Sequence, residues 1–202
     1  MRMRVVLLVW PGLALAWIGA LVFGWGTTES GTADSLVHLR SGEDLIPAPD
    51  PVFGQPMAYV SAGHLLALTA VTAAAVLLPL ASGRLRHVAG IISLAAGAAL
   101  AYFTYTGDAP TTGWAPAVTY IVAGVLAVIA VCYFAGRPGP VGVLAGLLAL
   151  AAAVWNTNAA VQLLLPDGRP GLGAIALTVG FLLTAAGAFA TVGLRPRRRR
   201  VR

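Results

Sequence analysis

Lysine is absent from this 202-residue chain, and all thirteen basic residues are arginine. Without a lysine amine there is no Schiff-base chemistry and no chromophore carried as an imine. Charge as a whole is scarce. Asp, Glu, Lys and Arg make up 10% of the residues, against roughly 25% in a soluble domain. A chain so poor in charge cannot cover a water-facing surface, so the solvent for most of it is lipid. A single cysteine, Cys132, excludes an internal disulfide, and its apolar setting makes it a small buried hydrophobe. Catalytic motifs are also missing. There is no paired intramembrane acid, no Gly-x-Ser-x-Gly, no His-Glu-x-x-His and no phosphate loop. The apolar runs hold no acid for a proton relay of the usual kind, which argues against a proton-driven transporter.

What is present is apolar sequence in long runs. Hydrophobic residues make up 58% of the chain, and Ala and Gly are abundant, as in proteins encoded by GC-rich genomes. Crossing the hydrocarbon takes about 20 residues of helix, and six runs reach that length, 5–25, 58–82, 88–107, 116–136, 141–164 and 172–194. None has Asp, Glu or Arg in its interior. Turn chemistry separates them, as in Ser82-Gly83, Asp108-Ala109-Pro110, Arg137-Pro138-Gly139-Pro140 and the stretch from Pro166 to Gly171. The expected fold is all-α, a single six-helix transmembrane bundle.

Orientation follows from the arginines, which remain on the cytoplasmic side. With the N-terminus inside, the inner segments hold Arg2, Arg4, Arg84, Arg86, Arg137, Arg195, Arg197, Arg198, Arg199, Arg200 and Arg202. The outer segments hold only Arg40 and Arg169, together with all seven acids. A wrong helix count would scramble this separation. Both termini are therefore expected in the cytoplasm of a bacterial cell, with the protein in its cytoplasmic membrane. The opening "MRMR" and its apolar run resemble a signal peptide. That run is about 20 residues, longer than the usual apolar core of roughly 7–15, and no Ala-x-Ala site follows closely; it reads as a retained helix. The outer loop 26–57 is too small for a core of its own. Its stretch "TADSLVHLRSGE" suggests a short interfacial helix capped by Thr32 or Asp34, and its proline-rich half suggests extended chain that serves as a lid or as a tether.

Polar residues inside the runs collect towards the outer ends. At about 1.5 Å per residue, Asn158 lies about 9 Å and Asn156 about 12 Å below the outer end of the fifth run, and His64 lies about 9 Å into the second. Tyr102 and Tyr105 occupy the outer half of the third. An unpaired amide in hydrocarbon costs several kcal/mol, so the asparagines need partners. Helical spacing puts Trp155, Asn158 and Gln162 on one face and Asn156 on another. Two readings follow. His64, Tyr102, Tyr105, Asn156 and Asn158 could line an outward-facing pocket for a small molecule or lipid headgroup. The same residues could be interhelical ties with an interfacial aromatic belt that includes Trp17, Trp25, Trp114 and Trp155. No catalytic residue, metal site or cofactor is indicated; His38 and His87 lie in loops and give His64 no embedded second ligand.

Small residues form ladders: Gly12, Ala16, Ala20 and Gly24; Gly142 and Gly146; Ala176, Gly180, Thr184 and Ala188. These predict close packing without naming a partner. The tail 195–202 is expected to contact anionic lipid through Arg195, Arg197, Arg198, Arg199, Arg200 and Arg202, at about 1 kcal/mol per residue, with no need to invoke nucleic acid. The leading functional expectation is a non-enzymatic accessory or scaffold subunit that packs against membrane lipids, other membrane proteins or its own copies. The alternatives are a small-molecule or lipid binding or transport protein using the outer pocket, and an outer-face enzyme with His64 as base.

Overall fold

A computed structural model of the chain describes residues 6–27, 33–36, 63–106, 115–164 and 169–193. The fold is all-helical. Its six α-helices are α1 (Val9–Leu21), α2 (His64–Ala75), α3 (Leu85–Thr106), α4 (Ala115–Phe134), α5 (Pro138–Leu164) and α6 (Leu172–Phe189). Four of them, in α3, α4, α5 and α6, are long and apolar enough to cross a membrane. The other two are shorter apolar helices. Each falls within an expected run, or begins a few residues before one.

The small-residue ladders find their partners here. The α1 ladder lies against the α6 ladder. A β-carbon on Gly180 would sit 2.5 Å from the Ala16 nitrogen and 2.6 Å from the Gly12 carbonyl oxygen, and one on Gly12 would sit 2.7 Å from the Gly180 oxygen. Both helices therefore approach backbone to backbone, a distance that only glycine permits on each side. The α5 pair continues the theme, with Gly142 against Thr191 and Ala188, and Gly146 against the Phe189 ring.

Pro79 explains why α2 is short. A proline cannot donate to the ladder, so α2 gives way to a 3-10 turn, Leu78–Leu80. Late carbonyls of α2 are met by side chains from three other helices. The Trp10 indole donates to the carbonyl of Val76, just past α2, at 2.8 Å, the Ser93 hydroxyl is shared between Ala73 and its own-helix Ala89 carbonyl at 3.0 Å each, and the Tyr133 hydroxyl donates to Ala74 at 2.9 Å. This end of α2 joins α1, α3 and α4. These donors aim at backbone, which no side-chain pattern reveals.

The opposite end carries a small three-stranded antiparallel sheet in the order β2-β1-β3. Strand β1 (Gly26–Thr27) pairs with β2 (Ala33–Asp34) on one side and β3 (Arg169–Pro170) on the other. Two further backbone bonds, Gly171 to the Trp25 carbonyl at 2.9 Å and Gly173 to Gly24 at 2.8 Å, lock the start of α6 to the end of α1. Asp34 pairs through its backbone in β2, Leu36 begins helical chain, and the remainder of the expected interfacial helix lies outside the described residues. Leu36 is fully buried and joins the core together with Trp25. Residues 26–27 and 33–36 of this loop are thus packed onto the bundle; the rest of it lies outside the described residues.

Candidate functional site

The buried side of α5 repeats at helical spacing: Ala145, Ala149, Ala152, Ala153, Asn156, Ala159 and Ala160. Asn156 stands in the middle of this alanine stripe with none of its surface exposed. The face that sequence spacing assigned to Trp155, Asn158 and Gln162 is half-buried, and Asn156, which the same spacing set on another face, points into the core.

Every donor on the Asn156 amide is used. Its Nδ2 donates to the Ala174 carbonyl at 2.9 Å and to the Thr178 hydroxyl at 2.7 Å, both on α6. Its Oδ1 accepts the Trp25 indole N–H at 3.2 Å. The chain of bonds has a fixed direction. The Thr157 hydroxyl donates to the Ala153 carbonyl at 2.8 Å, so its contact with Thr178 at 3.3 Å has Thr178 as donor. Protons therefore run from Trp25 to Asn156, to Thr178, to Thr157, and end on backbone. An asparagine amide offers two N–H donors, and both are committed. The arrangement ties α1, α5 and α6 together at the sheet-capped end.

The other candidates separate into distinct settings. His64, the first residue of α2, is also fully buried. Asn158 is half-buried and accepts the Gln162 Nε2–H at 3.0 Å, one helical turn away. Tyr102 and Tyr105 are 62% and 83% exposed on the outside of α3, and the Tyr102 ring meets the neighbouring Phe103 ring edge-on. The structure thus sets the two tyrosines on the outer surface, not in the interior with Asn156. Their position suits an interfacial belt. Trp25 does not belong to that belt: it is 1% exposed, with its indole on Asn156. Sequence reasoning missed Trp25 and Thr178 as partners. The available signal was the alanine stripe, which marks Asn156 as a core position in need of donors and acceptors from facing helices.

Among the described residues, no three His, Cys, Asp or Glu side chains gather as metal ligands. The tail residues Arg195, Arg197, Arg198, Arg199, Arg200 and Arg202 lie outside the described residues. Comparison with protein-family models, with curated proteins and with solved structures found no match. Fold and site together fit a class, the helical membrane proteins, and within it a bundle whose innermost amide serves as a tie.

Proposed function

We propose that this chain is a six-span protein of the bacterial cytoplasmic membrane that acts as a non-catalytic accessory or scaffold subunit. Both termini and the arginine-rich turns face the cytoplasm, and loop 26–57 faces out. Contacts at the helix ends support the alternation. At one end Trp10 meets Val76, Arg86 meets the turn at Gly136, and Thr191 meets Pro138. At the other end 26–27 pairs with 33–34 and with 169–170. Among the described residues the helix ends thus group at two opposite ends, which supports an alternating path.

The observation that carries the functional reading is the Asn156 network, in which both amide donors and the Trp25 indole are committed to the fold. A binding or catalytic site needs polar groups with valence left for a ligand, and the most deeply placed amide has committed its donors to the fold. What the molecule offers its surroundings is apolar surface, above all on α3 and α4, where 28% and 22% of the membrane-length windows are buried, against 50% in α6. Ile91, Ile121 and Val131 stand out from these helices with 60%, 65% and 64% of their surface exposed.

The test is the mass of the assembly. The tagged full chain, extracted in a gentle detergent and weighed by native mass spectrometry, is expected in a complex of fixed stoichiometry well above its own 20.6 kDa. A folded monomer that binds a small molecule saturably, with binding lost in Asn158→Leu, would replace this reading with the outward-facing pocket.

A further inference from the structure

We infer that the turn before α3 and the turn between α4 and α5 together form a headgroup site for an anionic phospholipid. It is distinct from the basic tail and rests on the orientation proposed above. The sequence supplies Arg84 and Arg86 in one turn and Arg137 in the other, and the fold brings the turns together. α4 ends in a Schellman motif. Arg137 N–H reaches the Cys132 carbonyl at 2.9 Å and Gly136 N–H reaches Tyr133 at 3.0 Å, with Gly136 in the left-handed region at φ 67°. The absence of a side chain at Gly136 leaves room for Arg86, whose guanidinium would collide with a β-carbon there.

Arg86 is held in place. Its Nε donates to His87 Nε2 at 3.4 Å, and the His87 ring stacks on Phe134 with centroids 6.1 Å apart. The ring stack spans the α3–α4 seam, and the terminal nitrogens of Arg86 lie over the α4 end, whose last carbonyls attract a cation. Arg84 and Arg137, in the same two turns, are exposed. Asp34 is the one acid among the described residues, and it sits in the sheet at the opposite end. The three guanidiniums thus lack a carboxylate among the described residues, and the sequence places no acid in any inner segment. Phosphate is the complementary group, and arginine grips it with paired N–H donors.

A lipid is favoured over a free anion by what lies next to the arginines. Leu85, Val88 and Phe134 are exposed at the same level, and Ile91, Val131 and Val128 continue the apolar surface along α3 and α4. A headgroup on the turns would lay its acyl chains along that surface. Basic clusters beside helices on the cytoplasmic side suit such headgroups.

The experiment is native mass spectrometry of the full chain with added phosphatidylglycerol, with phosphatidylcholine of the same chains, or with inorganic phosphate. Wild type is expected to retain one phosphatidylglycerol in preference to phosphatidylcholine. Each guanidinium removed should weaken that binding about fivefold. The triple variant Arg84→Gln, Arg86→Gln, Arg137→Gln should therefore lose about a hundredfold. The double variant Arg84→Gln, Arg137→Gln keeps the packed Arg86 and covers the case in which the triple does not fold. Gln at Arg197, Arg198, Arg199 and Arg200 should leave the retained lipid in place. Unchanged binding in the double variant, or loss in the tail variant, would overturn the site. Equal displacement by millimolar phosphate would turn it into a free-anion site. A cysteine at Ser82, with Cys132→Ser, tests orientation separately: labelling of intact spheroplasts by an impermeant thiol reagent would sink the topology while leaving the lipid data standing.

Discussion

Gly180→Val is expected to pry α1 from α6 and to destabilise the protein by about 3 kcal/mol, the upper end of the cost of overpacking a core. The added carbons would meet the Ala16 nitrogen and the Gly12 carbonyl, both backbone, at 2.5 and 2.6 Å for the β-carbon alone. Neither can move without shifting its helix. Gly12→Val should act similarly, since its β-carbon would meet Gly180 and Thr184 backbone at 2.7 Å. Because both substitutions break one interface, their effects should fall well short of additive. Gly124 is the control. A β-carbon there meets nothing within 4 Å, so Gly124→Val should stay within about 0.5 kcal/mol of wild type. Thermal unfolding of the purified proteins in one detergent checks the ranking, and equal stability of Gly180→Val and Gly124→Val would refute the α1–α6 contact.

Asn156→Leu is expected to cost about 2 kcal/mol, within the range for leaving a buried donor unsatisfied. The average interhelical hydrogen bond in a membrane is worth only about 0.6 kcal/mol. The larger figure applies because the Trp25 indole is 1% exposed and has nowhere else to donate once the amide is gone. Trp25→Phe removes that donor, so the double variant should be less damaged than the sum, with a coupling of about 1 kcal/mol. Asn158→Leu should cost under about 0.5 kcal/mol, because Asn158 is half-buried and its bond to Gln162 stays on its own helix. A pocket with Asn158 at its centre predicts a different pattern, with Asn158→Leu harmless to stability and decisive for a bound ligand. Unfolding midpoints test the Asn156–Trp25 coupling; a ligand-binding measurement on Asn158→Leu, near-neutral for stability in both readings, separates the two.

Much of this fold is legible from the residues. Length, the lack of charge within the runs and the proline and glycine breaks mark six helices to within a few residues of where α3, α4 and α5 begin. Pairing between helices is not legible, because ladders of small residues look alike in a chain rich in Ala and Gly. Only the folded chain joins Gly12 and Gly180. Depth alone does not fix which side of a helix a residue faces. It grouped His64, Tyr102, Tyr105, Asn156 and Asn158 at the outer ends, yet rotation about each helix axis sets Tyr105 outside and Asn156 inside. The strands of two residues each are too short to carry an alternating pattern, so the contact between 26–27 and 169–170 had no local signal. The donors to the α2 carbonyls were hidden for another reason: the acceptor is backbone, exposed by the helix break near Pro79.

Water access beside Asn156 tests the central claim, that this amide is a dry tie at the sheet-capped end and does not border a water-filled vestibule. A single cysteine replaces Asn158 in a Cys132→Ser background, and intact spheroplasts are treated with a membrane-impermeant thiol reagent. The account predicts no labelling in native membranes and full labelling after denaturation, because a thiol in hydrocarbon stays protonated and out of reach. Labelling from outside in the native state would contradict it and would show water reaching the outer half of α5.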